Sequence, residues 1–136
     1  MELLVEKKRE INVSPVAPSP LPSWKKLIVG RKGLDHIVFN MEDVACFYTS
    51  NRLVFLLDKE GVKYILDENL SHLEKELDPS LFFRVNRQYI VHIRFVRKFR
   101  TYKRVRIQIE LNLPSTVLLY TSQAITAPFR KWIYGH

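Results

Sequence analysis

The chain is short of several things, and each shortage excludes something. A single cysteine, Cys46, among 136 residues rules out an intrachain disulfide and a cysteine-rich zinc site. Set in an apolar strand, it reads as a small core residue. With four glycines in all, the chain has no glycine-rich phosphate loop. His36, His72, His92 and His136 are scattered rather than set at the spacing of a metal-binding pair. The carboxylate pairs Glu42-Asp43 and Asp67-Glu68 read as solvated turn and cap residues, not as an acid–base pair in a pocket. These shortages argue against an enzyme and call for no cofactor or metal. No apolar run approaches the eighteen or so residues of a membrane span, and the N-terminus lacks the apolar core of a signal peptide. A cytoplasmic setting is the natural reading.

One absence is local. Residues 79–109 contain no Asp or Glu, yet hold nine bases: Arg84, Arg87, Arg94, Arg97, Lys98, Arg100, Lys103, Arg104 and Arg106. Between them stand aromatic and β-branched residues, among them Phe82, Phe83, Val85, Tyr89, Ile90, Val91 and Phe99. A disordered basic tail lacks such apolar content. This run is expected to form strands with buried bodies and outward basic heads. The net charge is +8, and residues 24–136, with 19 bases and 11 acids, carry all of the excess. A folded surface of one sign favours a phosphate backbone or another acidic partner.

The chain divides in two. Residues 1–23 form an N-terminal segment and linker, with four of the seven prolines between Ser14 and Ser23. Such a linker is semi-rigid, about 3 Å per residue and roughly 30 Å in reach. Residues 24–136 are the domain. Short strands are expected at 27–29, 34–39, 44–48, 53–57 and 62–66, separated by turns at 30–33, 40–43, 49–52 and 58–61. Leu70, Leu73 and Leu77 then mark one short amphipathic helix, capped near Asp67 or Asn69 and ended by Asp78-Pro79. His72 on that helix reads as exposed rather than as a ligand.

Residues 82–87 look extended, and another strand follows at 94–99. Val105, Ile107, Ile109 and Leu111 alternate with Arg104, Arg106, Gln108 and Glu110, as the two faces of a strand over 103–111. A last strand is expected at 116–120. A small C-terminal helix would bury Phe129, Trp132 and Ile133, with Pro128 in its first turn. The class is therefore mainly β, with short antiparallel sheets and small helices as lids.

Phe82-Phe83-Arg84-Val85-Asn86-Arg87-Gln88-Tyr89-Ile90-Val91-His92 closely resembles the signature of the LytTR DNA-binding domain, which reads roughly F-x-R-V-H/N-R-S/Q-Y/F-I/L-V-N. The Val44–Tyr48 strand, the Asn69–Leu73 helix before Asp78-Pro79, and the Tyr120-Thr121-Ser122 step stand in matching order. The resemblance spans about residues 25–134. It implies an elongated arrangement of short antiparallel sheets that grips double-stranded DNA with loops in successive major grooves. It implies sequence-specific binding and transcriptional regulation as the effector part of a two-component-type response regulator.

By resemblance, Asn51 and Arg52, then Arg87 with Asn86 and Gln88, then Ser122 and Gln123 approach the bases. Arg84 is a phosphate anchor or a structural ion pair. Lys98, Arg100, Lys103 and Arg104 are expected on the backbone. The family often has Arg or Lys where this chain has Gln123, Asn where it has His92, and a longer helix where Pro128 stands.

Members often bind paired direct repeats, so a homodimer on DNA is an expected arrangement. A receiver domain usually precedes this domain. Residues 1–23 are too few to form one, and residues 2–10 look like the end of a receiver's last helix. The chain is thus expected to be the effector part of a longer regulator or a stand-alone relative. Two other readings start from the same residues. Aromatics among bases suit a single-stranded nucleic-acid binder, and a basic face suits a protein-interaction module with an acidic partner.

Overall fold

The computed structural model describes residues 23–136. The linker and the short helical segment expected before them lie outside the described residues. Ten strands form two sheets, and every paired strand is antiparallel to its neighbour.

The larger sheet has seven strands. They are β1 (Leu27–Lys32), β2 (Asp35–Asn40), β3 (Val44–Ser50), β4 (Leu53–Asp58), β5 (Lys63–Leu66), β6 (Phe82–Arg84) and β7 (Tyr89–His92). Their order across the sheet is β2-β1-β5-β4-β3-β7-β6. The smaller sheet runs β10-β9-β8, from β8 (Val96–Tyr102), β9 (Arg106–Leu111) and β10 (Val117–Tyr120). Two helices, α1 (Leu70–Glu76) and α2 (Thr126–Tyr134), complete the fold.

Alternation along the strands sends side chains into two cores, one on each face of the large sheet. On one face, Val44, Phe47, Val54, Leu56 and Ile90 pack against Leu70, Leu73 and Leu77 of α1. On the other, Cys46, Val85 and Val91 meet Ile107, Ile109 and Leu111 of β9, Leu119 of β10 and Phe129 of α2. Adjacent residues Ile90 and Val91 thus serve opposite cores, as the period of two requires. Asn69 is the α1 cap, its side chain accepting from His72 N at 2.7 Å. Pro128 stands in the first turn of α2, where a missing N–H costs no helical hydrogen bond. Cys46 is fully buried, and burial pushes its thiol up to about 12.

Several boundaries differ from the pattern in the sequence. The turn expected at 30–33 is narrower, because β1 runs through Lys32 and only Gly33 and Leu34 turn. Gly33 takes the left-handed conformation (φ 62°), which lets Lys32 pair with Asp35. The extended run 82–87 ends as a strand at Arg84, and residues 85–88 become a loop. A 3₁₀ turn at Ile93–Phe95 delays β8 to Val96. β9 begins at Arg106, so Val105 is exposed in the preceding turn rather than on the buried face.

His92 joins the two sheets, at the end of β7 just before that 3₁₀ turn. Its ring lies edge-on to Phe82 at 4.6 Å, and Nδ1 accepts from Arg94 N at 3.0 Å. Burial, helped by the Arg94 charge, lowers its pKa from 6.5 to about 4. Between these values the unfolded chain binds more protons than the folded one. The stability that neutral His92 contributes is therefore complete above about pH 6.5 and lost as pH falls toward 4, on the order of 2–3 kcal/mol. Urea unfolding from pH 7.5 to 4.5 will show this loss, and His92→Gln will flatten that part of the profile. An identical pH dependence in the variant would contradict this role of His92.

Candidate nucleic-acid interface

Four connections meet along one edge of the molecule, tied in a row by hydrogen bonds. The end of β3, just before the β3–β4 turn, leads the row: Thr49 N donates to Gln88 O in the β6–β7 loop at 3.0 Å. That loop is bound to the segment after β10, since Ser122 N donates to Val85 O at 3.0 Å and Asn86 Nδ2 to Tyr120 O at 2.6 Å. The same segment reaches the β8–β9 turn through Thr126 Oγ1, which donates to Val105 O at 2.7 Å. Thr121, buried, locks this end by accepting from Ile107 N and meeting Thr126 Oγ1, both at 3.0 Å. Asn51, Arg52, Asn86, Arg87, Gln88, Lys103, Arg104, Ser122 and Gln123 are thereby gathered on one edge.

Both hairpin tips have a costly backbone. Asn51 and Arg52 have φ of 51° and 67°, and Lys103 and Arg104 have 47° and 68°. Such primed turns favour Gly or Asn, and a long side chain with positive φ is strained by about 1–3 kcal/mol. A base therefore stands at each tip where glycine would be easier.

The β6–β7 loop is held by Arg84, the last residue of β6, and by its own Asn86. Arg84 donates to Asn86 O (3.2 Å), Arg87 O (2.6 Å), Ser71 Oγ (3.1 Å) and Glu74 Oε1 (3.1 Å). It fastens the loop to α1 and is largely screened from solvent. Asn86 Oδ1 accepts from Gln88 N at 2.7 Å and Tyr89 N at 3.0 Å. The Asn86 amide closes the turn and, through Tyr120 O, joins it to β10. Between these fixed points Arg87 and Gln88 project, both exposed.

The other basic candidates are spread more widely. Arg100 is exposed midway along β8. Lys98 lies toward the far end of that strand, 3.8 Å from Glu110, which also pairs with Arg97 at 3.6 Å. Arg106 belongs nearer the edge, lining a cleft with Asn86, Arg87, Gln88 and Ser122. Its alternation with Ile107 marked it only as a solvent-facing residue of β9, and no local motif singled it out.

His72 has closer company than its sequence neighbourhood suggested. Glu76, one turn on, lies 3.8 Å from its Nε2, and Glu68 joins them within a 4.8 Å cluster. Burial and the neighbouring Glu76 push the Glu68 carboxyl up. Lys25 sits 3.9 Å from both carboxylates and supplies positive charge there.

Removing the Asn86 side chain deprives two loop N–H groups of their acceptor and leaves Tyr120 O without its donor. Asn86→Ala is therefore expected to cost about 1–3 kcal/mol. Urea denaturation measures this, and an unchanged midpoint would show that Asn86 does not hold the loop.

No curated protein sequence matches the chain. In fold it is similar to the LytTr DNA-binding domain of a protein described as a methyl-accepting/DNA response regulator from Bacillus cereus. The TM-score is 0.72 at 14% identity, over 82% of this chain and 99% of that one. No helix among the described residues is long and apolar enough to cross a membrane. Residues 35–134 match the model of the LytTr DNA-binding domain, a span that includes the whole of the edge assembled above. On that match the chain belongs to the LytTR family of DNA-binding domains.

Proposed function

We propose that this domain binds double-stranded DNA in a sequence-specific manner, its loops entering successive major grooves on one side of the duplex. The observation that carries the reading is the single edge on which exposed basic and amide side chains are held by fixed backbone. In this reading Arg87 forms a bidentate pair with guanine, and Asn51 and Gln88 offer amides suited to adenine. Ser122 and Gln123 make a third, neutral contact. Arg52, Arg100, Lys103 and Arg104 meet phosphates. Arg84 and Asn86 act one step back, by shaping the loop that carries Arg87. Lys98 contributes less, because Glu110 offsets its charge.

The domain acts as the effector part of a cytoplasmic two-component regulator, with a receiver upstream and two copies on paired direct repeats. It regulates transcription and performs no catalysis. The single-strand alternative is the weaker one, since Phe83 and Phe99 of the basic run are each half-buried and packed against Phe129.

Selection of duplexes from a random library, with the full chain at about physiological salt, tests the reading. Enriched half-sites about one helical turn apart are expected. Arg87→Ala should lose about 1–3 kcal/mol of discrimination at one base position. Lys103→Ala should weaken binding to all sequences alike and lower the salt slope by about 1. Equal weakening of all duplexes by Arg87→Ala would remove its base-reading role, and recovery without enrichment would reduce the domain to a backbone binder.

A further inference from the structure

A cleft of about 740 Å³ opens between α1, the β6–β7 loop and α2. This is the size of small-molecule sites, which are mostly apolar with a few placed polar groups. One wall is aromatic, with Phe83 and Trp132 stacked at 5.0 Å between ring centroids. The Trp132 indole N–H donates to Pro79 O at 2.9 Å, so its polar atom is satisfied. Ile125 and Pro128 extend the apolar lining, and Arg87 stands among the lining residues. Arg84 borders the cleft too, but Glu74 already pairs with it. No described carboxylate pairs with Arg87. A lined apolar slot thus ends beside an exposed cation.

We propose that this cleft is an effector site for a flat aromatic carboxylate, its rings on the Phe83–Trp132 wall and its carboxylate on Arg87. Stacking and burial supply most of the binding, and Arg87 supplies selectivity for the anion. An occupied cleft also contacts Ser122, and Ile125 at the end of the 3₁₀ turn that begins at Gln123. The consequence for DNA rests on the reading of Arg87 above: a carboxylate on that guanidinium withholds it from a base.

The test is a nuclear magnetic resonance titration of the ¹⁵N-labelled full chain with 2-naphthoate, and with 2-naphthalenemethanol as the neutral counterpart. The chain has two tryptophans, and Trp132→Phe identifies the Trp132 indole signal. Saturable shifts are expected at the Trp132 indole and the Arg87 amide, with Trp24 unmoved. The acid should bind about tenfold more tightly than the alcohol. Arg87→Gln should erase that preference and leave the alcohol's affinity unchanged. Ile125→Trp should fill the cleft and abolish both, with a dispersed spectrum showing that the fold is kept.

Equal affinity for acid and alcohol, or shifts that scatter over the surface without saturating, would overturn the proposal. The titration contains no DNA, so its outcome is independent of the base-reading role. A separate competition then decides the effector role: displacement of bound duplex by 2-naphthoate supports it, and simultaneous binding of both overturns it.

Discussion

The edge formed around the β6–β7 loop depends on the Arg84 guanidinium. Among the described residues it is the one side chain that bonds both to the backbone of the β6–β7 loop and to side chains of α1. A planar group with five donors in a fixed fork suits this task, since it can hold two carbonyls and a carboxylate at once. The arrangement is partly buried, where charge-assisted hydrogen bonds are stronger than at the surface. Arg84 holds the Arg87 carbonyl and Asn86 holds the N–H groups of Gln88 and Tyr89, so the backbone on both sides of the Arg87 side chain has little freedom, with no helix to carry it. The ordering cost of that loop is then met in folding.

The same fold separates charge. Acidic residues gather around α1, where Glu68, Glu74 and Glu76 meet Lys25, His72 and Arg84. The hairpin tips carry Arg52, Lys103 and Arg104 with no acid on the tip itself. A surface divided in this way orients an approaching polyanion before any specific contact forms. Both helices direct apolar residues into the cores, Leu70 and Leu73 from α1 and Phe129 from α2. Arg52 stands instead at one hairpin tip and Lys103 and Arg104 at the other, all three with left-handed backbone.

Much of this was legible before any coordinates. The run Phe82–His92 identified the family, and alternation placed most strands within a few residues. Local devices were also readable: the Asn69 cap, Pro128 in a first turn, the polar step at 49–52. What escaped was non-local. In sequence Arg84 reads as a phosphate anchor or a structural ion pair, because the partners it bonds, Ser71 and Glu74, lie 13 and 10 residues away on another element. The bond from Asn86 to Tyr120 O, 34 residues distant, was likewise not legible in the sequence. The union of β1–β5 and β6–β7 into one sheet likewise rests on the pairings β1·β5 and β3·β7, which no turn motif encodes. Arg106 was visible as a polar-face residue, but its nearness to Arg87 arises only when the two sheets pack.

The central claim is that the β6–β7 loop is fixed in the free protein. Amide hydrogen exchange of the DNA-free chain tests it most directly, read at Gln88 and Tyr89, whose N–H groups are bound to Asn86 Oδ1. The account predicts protection at both sites approaching that of the neighbouring strand amide Ile90. Exchange at Gln88 and Tyr89 as fast as in an unfolded peptide, with protection gained only on adding DNA, would contradict it.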